Sequence, residues 1–352
     1  MGTEKKTQVL LVGDLHETTD AVINEVASVA AKEKLTVLNL GDYIDRRGAD
    51  DTSHLAERMK HQMAPFENSG EKVITIQGNH DPKLAYNRAL DGLKNTKDNH
   101  NTITELDQYS IVGFGGMHAQ NALTDHGGSY YKEESMAKQV KTLVRKCCEP
   151  HEEQYVMLQL HEPPKGHFDK VASGYRVGNE KFRELIDNTN IGVVAAAHVH
   201  ECPGVQIRVR RKNKREKDDG FNGEEKRYLR YWDVVTGAEK YPTYDFVPKD
   251  KETGKPSEDY KKYFGPIPGI KITDEGILKR GGYGTIDNSK KLTLTYNMDS
   301  YDLTLFVNPG SLCDNELDPF TGRYAVMKLS EKQMKDGKYR TIELEMRKVA
   351  KA

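Results

Sequence analysis

The sequence contains few cysteines, and their spacing excludes the sites that cysteine usually builds. Only four of its 352 residues are cysteine, namely Cys147, Cys148, Cys202 and Cys313. None of them forms the C-x-x-C pair of a redox motif or of a structural zinc site, and the spacing is not that of a disulfide framework. We therefore predict reduced thiols that pack as small hydrophobic side chains.

A net charge and a long apolar run are also missing. The 53 Lys and Arg residues almost balance the 54 Asp and Glu residues, so no overall field draws the protein toward nucleic acid or an anionic membrane. The apolar run at 9–12 is too short for a signal peptide or a membrane span. These absences predict a cytoplasmic protein without a membrane partner, and they leave its oligomeric state open.

The first third of the chain alternates predicted strands and helices. Buried strands are predicted at 8–12, 35–40 and 72–76, and amphipathic helices at 20–32 and 51–61. Because open α/β sheets carry their sites beyond the carboxyl ends of the strands, the residues that follow each strand are candidates for chemistry. They lie in the segments Gly13-Asp14-Leu15-His16, Gly41-Asp42-Tyr43-Ile44-Asp45-Arg46 and Gly78-Asn79-His80-Asp81.

Two later strands end on histidine. A predicted strand at 155–160 is followed by His161, and an apolar strand at 191–197 is followed by His198 and His200. Residues two apart on an extended chain point to the same face, so both imidazoles of the second pair can reach one metal cluster. His118, which follows a strand predicted at 109–114, is better explained as a hydrogen-bonded loop histidine than as a ligand.

The side chains beyond the strand ends form a set of metal ligands. They are carboxylate, amide and imidazole groups, which suit Mn, Fe, Zn or Co, whereas calcium prefers more oxygens and structural zinc more thiolates. A carboxylate such as that of Asp42 can bridge two ions about 3.5–4 Å apart. The predicted ligands are Asp14, His16, Asp42, Asn79, His161, His198 and His200.

These blocks, in this order, resemble the calcineurin-like metallophosphoesterase superfamily. The segments His161-Glu162-Pro163-Pro164 and Asn308-Pro309-Gly310-Ser311 are most similar to its small prokaryotic phosphoesterases. The resemblance implies the metallo-dependent phosphatase fold, a two-sheet α/β sandwich flanked by helices. One departure is Ala197, where the family usually has glycine.

The resemblance also implies a reaction and a role for each residue. Two divalent ions, with manganese the first choice in vitro, would activate a bridging hydroxide that attacks a phosphomonoester or phosphodiester. One ion would be held by Asp14, His16, Asp42 and His200, and the other by Asp42, Asn79, His161 and His198.

Three further residues receive catalytic roles by the same resemblance. His80 is expected to protonate the leaving group, and Asp81 is expected to orient His80. Arg46 resembles an arginine that contacts the substrate phosphate in protein phosphatases of the superfamily, and an ion pair with Asp45 is an equally good explanation of it.

Residues 206–300 interrupt the βα pattern and resemble no known segment. We predict a mostly β subdomain inserted into a core made of residues 1–205 and 301–352. Because the segment starts just after His200 and returns just before Asn308, both junctions are expected at strand ends that face the metals. The insertion is therefore a candidate cap of the active site that selects substrates.

Two alternatives to a simple phosphoesterase remain open at this point. A nuclease is suggested by seven basic residues within 208–217, which could follow a phosphate backbone, although acidic residues follow at once. A non-catalytic scaffold of the same fold is a second alternative, but it would not need the complete ligand set and His80. The physiological substrate and the native metal pair are not given by the sequence.

Overall fold

The computed structural model describes most of the chain. The described residues are 5–45, 51–119, 129–148, 153–171, 173–200, 202–211, 230–232, 270–274, 290–313 and 322–349. Arg46 and most of the segment 206–300 lie outside these residues, so the expectations placed on them are not addressed by the structure.

The described residues form helices and strands throughout. In chain order the strands are β1 (Lys5–Val12), β2 (Thr36–Asn39), β3 (Val73–Thr75), β4 (Thr96–Asp98), β5 (Thr102–Leu106), β6 (Tyr109–Phe114), β7 (Met117–His118), β8 (Tyr130–Tyr131), β9 (Val156–Leu160), β10 (Val193–Ala195), β11 (Gly204–Arg211), β12 (Arg230–Trp232), β13 (Ile270–Asp274), β14 (Lys290–Asn297), β15 (Tyr301–Asn308), β16 (Arg323–Met334) and β17 (Gly337–Lys348). The helices are α1 (Asp20–Glu33), α2 (Thr52–Asn68), α3 (Lys83–Leu90), α4 (Glu133–Cys148) and α5 (Glu180–Asp187).

Two large sheets pack face to face and confirm the predicted sandwich. One sheet has the strand order β13-β14-β17-β16-β1-β2-β3-β4, and the other has the order β12-β11-β15-β10-β9-β6-β5. Within them, β1 to β4 run parallel, and so do β6, β9, β10 and β15. Parallel strands end at a common edge, so the carboxyl ends of both sets can contribute to one site.

Three hydrophobic layers hold the sandwich together. The central layer, which includes Leu38 and Met157, lies between the sheets. A second layer covers the outer face of the first sheet with α1 and α2, and a third covers the outer face of the other sheet with α4 and α5. Both faces of the parallel strands are buried, which explains why they appear in the sequence as continuous apolar runs.

The helices begin where the sequence offers a cap. The side chain of Asp51 accepts hydrogen bonds from the backbone N–H groups of Ser53 and His54 at the start of α2, and Asn179 accepts one from Phe182 at the start of α5. Such caps satisfy backbone donors that have no partner within the helix. The expected strand at 109–114 is confirmed at both ends.

The region 84–101 forms regular structure, although its sequence is polar and weakly patterned. It contains most of α3 and all of β4. The strand is only three residues long, and it pairs in parallel with β3 through the partners Val73 and Thr96. Its backbone partner, rather than its own polar sequence, therefore determines its conformation.

The ends of the segment 206–300 belong to the two core sheets. β11 pairs antiparallel with β15, from Gly204 opposite Asn308 to Arg211 opposite Tyr301. The chain therefore leaves the described core at Arg211, at the edge of the sheet opposite to that of Asn308. This register contradicts the argument that both junctions adjoin the metal edge.

The chain also re-enters the core at the edge away from the site. β14 pairs antiparallel with β17 and then leads through a short turn into the first residue of β15. Residue 300 therefore lies at the edge away from the site, and the expected boundaries at 206 and 300 both fall among core strands. β12 and β13 extend the two core sheets by pairing with β11 and β14, so the separate subdomain and its role as a cap stay predictions for the rest of 212–289.

None of the helices within the described residues is long and apolar enough to span a bilayer.

Candidate dinuclear metal site

The predicted ligands come together at the carboxyl edge of the two sheets. Asp14 and His16 follow β1, Asp42 follows β2, and Asn79 follows β3. His161 follows β9 in the other sheet, while His198 and His200 follow β10. The site is therefore assembled from both sheets, and its donors face one another across the sandwich.

One group of donors consists of Asp14, His16 and His200. Their ligand atoms lie within 4.8 Å of one another. The Nε2 atoms of His16 and His200 are 3.2 Å apart, and Nε2 of His200 is 3.7 Å from Oδ2 of Asp14. Two imidazole nitrogens and a carboxylate at these separations match the donor set of a divalent transition metal.

The second group consists of Asp42, His161 and His198, with Asn79 beside it. The ligand atoms of the first three also lie within 4.8 Å of one another. Nε2 of His161 is 3.3 Å from Oδ2 of Asp42 and 2.8 Å from Oδ1 of Asn79. The amide oxygen and the carboxylate thus face the same imidazole nitrogen.

Asp42 joins the two groups. Its Oδ2 atom is 3.3 Å from Nε2 of His161 and 3.7 Å from Nε2 of His16. Its Oδ1 atom accepts a hydrogen bond of 2.8 Å from the backbone N–H of His80. The carboxylate is therefore fixed between the groups, where a bridging ligand is required.

Four of the ligand residues have a left-handed backbone. The φ angles are 51° at Asp14, 43° at His16, 57° at Asp42 and 69° at His198. Such angles are uncommon outside glycine and carry a free-energy cost, so their concentration at one edge marks a functional site. Each sharp turn directs a side chain across the carboxyl edge instead of along the strand.

Glycines permit the close approach of these turns. A Cβ atom on Gly78 would lie 1.9 Å from Oδ1 of Asp42, and one on Gly41 would lie 2.4 Å from the backbone nitrogen of Gly78. A Cβ atom on Gly13 would lie 2.9 Å from Cβ of Ala197. The methyl group of Ala197, where the family usually has glycine, is thus accommodated beside a position that itself lacks a side chain.

Hydrogen bonds orient the ligands. Nδ1 of His161 lies 2.8 Å from the carbonyl oxygen of Leu40, which places the proton on Nδ1 and leaves the lone pair of Nε2 for a metal. The backbone N–H of His198 donates to Oδ2 of Asp14 at 3.0 Å. The hydroxyl of Ser311 donates to the carbonyl oxygen of Asp14 at 2.8 Å.

A buried polar bridge connects the sheets beneath the site. The side-chain amide of Gln159 donates to the carbonyl oxygens of Asn39 and Ile74 at 2.8 and 2.9 Å. Asn99 donates to the Oε1 atom of Gln159 at 3.0 Å. Since buried polar groups are costly unless paired, this bridge fixes the spacing of the strands that carry Asp42 and His161.

Burial and the nearby carboxylates shift the pKa values of the site histidines in opposite directions. Burial alone would lower the pKa of His161, but the adjacent Asp42 carboxylate raises it to about 9. Burial lowers the pKa of His198 to about 3, and it also lowers the pKa of His16. Burial opposes ionisation of Asp42, yet the imidazoles around it, His161 first, hold its pKa well below the usual range.

This donor set fits a pair of divalent cations. It offers imidazole nitrogens, carboxylates and one amide oxygen without a thiolate. An ionised, buried carboxylate surrounded by imidazoles is the arrangement that cations stabilise. All seven residues expected as ligands from the sequence lie together at this edge, and their role as ligands stays a prediction.

The expected pairing of His80 with Asp81 is wrong. Asp81 is fully buried and its carboxylate accepts hydrogen bonds from the backbone N–H groups of Asp42, Tyr43 and Gly78 at 2.9, 3.0 and 2.7 Å. It therefore fixes the turns that carry ligands. Burial, with the Asp42 carboxylate nearby, raises the pKa of Asp81 to about 7.

The carboxylate that faces the imidazole of His80 is Asp45. Its Oδ1 atom lies 3.9 Å from Nδ1 of His80, and the donor atoms of Asp45, His80 and His16 lie within 4.8 Å of one another. The His80 side chain is 37% exposed, which suits a group that must meet a substrate. The sequence offered the signal for Asp45 in the spacing Gly41-Asp42-x-x-Asp45.

Glu17 and Arg58, which carry no functional motif in the sequence, support the turn of Asp45. The guanidinium of Arg58 donates to the Glu17 carboxylate through Nε and through Nη2, the latter at 2.6 Å. Nη2 also lies 3.3 Å from the carbonyl oxygen of Asp45. This pair ties the turn after β2 to α2, and no local sequence pattern reveals it.

Arg208, one of the seven basic residues behind the nuclease hypothesis, is not available to a nucleic acid. Its side chain is 1% exposed. It donates to Asp187 at 3.2 Å, to the carbonyl oxygen of Thr189 at 3.0 Å and to the hydroxyl of Thr304 at 2.8 Å. Of the seven, it is the one whose side chain the structure describes, and it serves the core.

The comparisons with known proteins agree with this geometry. A family model described as Calcineurin-like phosphoesterase matches residues 7–202, which is more than half of the chain. The chain belongs to the calcineurin-like phosphoesterase family. The match contains every predicted metal ligand, and members of this family are generally metal-dependent phosphoesterases.

One solved structure supports the fold of this calcineurin-like phosphoesterase. One crystal structure is similar over 98% of this chain and 100% of its own, with a TM-score of 0.53 and 13% sequence identity. TT1561 of Thermus thermophilus is similar over 55% of this chain and 82% of its own, with a TM-score of 0.43 and 14% identity. The first likeness shows the fold alone, and the second supports no conclusion. No curated protein matches the chain.

Proposed function

We propose that this calcineurin-like phosphoesterase hydrolyses a phosphoester at a centre of two divalent cations. The observation that carries the proposal is the place of Asp42, whose Oδ2 atom lies 3.3 Å from His161 and 3.7 Å from His16. One ion would be held by Asp14, His16, Asp42 and His200, and the other by Asp42, Asn79, His161 and His198.

The metals would supply the electrostatic part of the chemistry. Two divalent cations lower the pKa of a water molecule to near neutrality and neutralise the charge on a phosphate. Mn, Fe, Zn and Co all suit the imidazole and carboxylate donors, and Mn is the first metal to test. The protein's part is to hold its ligands in place, which Leu40 and Asp81 do through the hydrogen bonds described above.

His80 is the proposed general acid. Its backbone N–H donates a hydrogen bond of 2.8 Å to the Asp42 carboxylate. Its exposed imidazole therefore lies beside the two groups of metal donors without belonging to either of them. An imidazole in that place can give its proton to the departing oxygen, which removes the cost of expelling an alkoxide. Asp45 faces Nδ1 and would keep the ring oriented, so that Nε2 is directed to the substrate.

The alternatives have less support. A scaffold would have no use for four strained ligand residues and an exposed imidazole at their edge. A nuclease would need a basic surface, and the burial of Arg208 removes one member of the run that suggested it. A phosphomonoester or a small phosphodiester is therefore the substrate class to test first.

The experiment is a substrate panel with protein loaded with Mn. We expect hydrolysis of an aryl phosphate or of a bis-aryl phosphate that depends on added metal and disappears with a chelator. Nucleotides, phosphopeptides and single-stranded DNA complete the panel. Protein that is folded, contains two equivalents of Mn and remains inert toward all of these substrates would refute the proposed activity.

A further inference from the structure

The buried carboxylate of Glu162 has no part in the proposed reaction, although it directly follows the ligand His161. Glu162 is 0% exposed. Its Oε2 atom accepts hydrogen bonds from the backbone N–H of His118 at 3.0 Å and from the side-chain amide of Asn179 at 3.1 Å. Its Oε1 atom makes a short hydrogen bond with Nδ1 of His118. A buried carboxylate persists only with such partners, and here they fix both the backbone and the ring of His118.

His118 occupies the same edge of the sandwich as the ligands. β6 pairs in parallel with β9, and Phe114 at its end lies opposite Leu160. The chain beyond β6 therefore emerges beside His161, just as His161 emerges beside His198. Among the described parallel strands near the site, β6 also places a histidine beyond its carboxyl end.

Backbone contacts place His118 beside the second metal group. The N–H of Gly116 donates to the carbonyl oxygen of Gln77 at 2.9 Å. The N–H of Met117 donates to Ser129 at 3.1 Å, and the N–H of Ser129 donates to the carbonyl oxygen of Asn79 at 3.2 Å. His118 thus lies between the backbone of one ligand, Asn79, and the residue that follows another, His161.

The orientation of the ring follows from its exposure. Nδ1 faces Glu162, which is fully buried, while the side chain of His118 is 14% exposed. Because Nδ1 bonds to Glu162, Nε2 is the ring nitrogen that remains to donate to a substrate. The hydrogen bond with Glu162 also raises the pKa of His118, which favours the form in which both nitrogens are donors.

We propose that His118, held by Glu162, donates a hydrogen bond from Nε2 to a phosphoryl oxygen of the substrate and thereby favours phosphomonoesters over phosphodiesters. A monoester has three oxygens that are not esterified, and two of them suffice for a pair of cations. The third oxygen carries charge in a monoester. In a diester, a second ester group takes its place. A cationic donor on the side of Asn79 and His161 therefore binds a monoester more tightly than a diester.

This inference rests on the proposed function, and its test separates the two. The kinetic constants of wild-type and His118→Ala protein are measured with Mn on an aryl phosphate and on the corresponding bis-aryl phosphate. We expect kcat/KM for the monoester to fall about 10- to 100-fold, the effect of losing a charge-assisted hydrogen bond, and that for the diester less than about threefold. The fall should lie mainly in KM.

A binding measurement supplies a readout that does not depend on turnover. The dissociation constant of inorganic phosphate for the Mn-loaded protein should rise by about the same factor in His118→Ala. Glu162→Gln, which keeps the shape of the side chain but removes its charge, should change the monoester preference in the same direction. Metal content and melting temperature are recorded for each variant.

The matched control is His61→Ala. His61 also pairs with a carboxylate, because its Nε2 atom lies 2.8 Å from Oδ1 of Asp20, but it lies on α2 with its side chain 62% exposed. The His61→Ala substitution should leave the preference for monoesters over diesters and the affinity for inorganic phosphate unchanged. Equal losses on both esters, an unchanged phosphate affinity, or a fall in metal content or melting temperature without a change in preference would overturn the role of His118. Wild-type protein that holds metal but is inert toward both esters and toward the rest of the substrate panel would overturn the proposed function itself.

Discussion

At the scale of single residues, the proposed site separates groups that would hold metal from groups that would act on substrate. Asp42 is fully enclosed and faces two imidazoles, whereas His80 is attached to it only through its backbone N–H. The imidazole of His80 is therefore placed to act on a substrate without being one of the proposed metal ligands. This separation is a property of two side chains and can be tested by replacing each of them.

His80→Ala should keep two equivalents of bound Mn and lose about 10²- to 10⁴-fold in the rate of hydrolysis, the usual effect of losing a general acid. Asp42→Asn should lose metal as well as activity, because an amide is a weaker bridge than a carboxylate. Metal analysis and steady-state kinetics on both variants check this pair. Equal metal content with similar rates would show that the two roles are not separated.

The burial of His167 predicts that the free energy of unfolding decreases as the pH falls below about 6.5. It is fully buried, its Nδ1 atom lies 2.6 Å from Oε1 of Gln206, and burial lowers its pKa to about 3. In the unfolded chain the pKa of histidine is about 6.5. Below that value the unfolded state binds a proton that the folded state refuses, so this contribution to stability is complete above pH 6.5 and is lost as the pH falls toward 3.

His167→Gln should therefore flatten the dependence of the unfolding free energy on pH within that window, by up to about 1.4 kcal/mol per pH unit. Urea denaturation between pH 4 and pH 7.5 measures the slope, which is insensitive to a uniform loss of stability in the variant. The exposed His61→Gln is the control. A slope identical to that of the wild type would contradict the burial of a neutral imidazole at position 167.

At the scale of elements, the turns after β2 and β3 fit together only because they contain glycine. Gly78 packs against Asp42, where a methyl group would lie 1.9 Å from Oδ1 and 2.2 Å from the backbone nitrogen. Neither atom can yield without moving the carboxylate. The close approach of two strand ends is thus a condition for the metal site.

Gly78→Ala should displace Asp42 and lower the bound Mn below two equivalents per chain. Gly92→Ala is the control, because Gly92 has a φ angle of +81° but nothing within 4 Å of its missing Cβ. It should cost only the backbone strain of about 1–2 kcal/mol and keep both metals. Metal content and thermal unfolding of the two variants distinguish steric displacement of the ligand from strain alone.

Elements were predictable from the sequence where local patterns determine them. The ligand-bearing turns could be placed because each follows an apolar run, and those after β1, β2 and β3 also contain a glycine just before the ligand. α3 begins after Pro82 and β4 depends on its pairing with β3, so neither has a strong signal of its own. The partner of His80 was missed for a related reason: Asp45 and Asp81 are both close in sequence to ligands, and only their side-chain directions separate them.

At the scale of the whole molecule, the site spans the two sheets. Asp14, His16, Asp42 and Asn79 come from one sheet, whereas His161, His198 and His200 come from the other. Metal binding would therefore tie the sheets together across the sandwich. The registers of β11 and β14 depend on pairings between distant residues, which explains why the sequence placed the boundaries of 206–300 within core strands.

Replacement of residues 212–289 tests whether the central part of the chain selects substrates. The described β11 and β14 must be kept, because Arg208 and Leu294 are buried within the core. The replacement removes β12 and β13, which lie at the outer edges of the two sheets and pair with β11 and β14. A flexible Gly/Ser linker of about 25 residues has an end-to-end distance of about 28 Å. We expect the variant to keep both metals and its activity on a small aryl phosphate, and to rank larger substrates differently. If the folded, metal-loaded variant ranks the larger substrates as the wild type does, residues 212–289 have no role in substrate selection.

The central claim is that two cations share the Asp42 carboxylate. Anomalous diffraction from crystals soaked in Mn measures this directly. The account predicts two peaks about 3.5–4 Å apart, one among Asp14, His16 and His200 and the other among Asn79, His161 and His198, with Asp42 contacting both. A single peak, or two peaks of which Asp42 contacts only one, would contradict it.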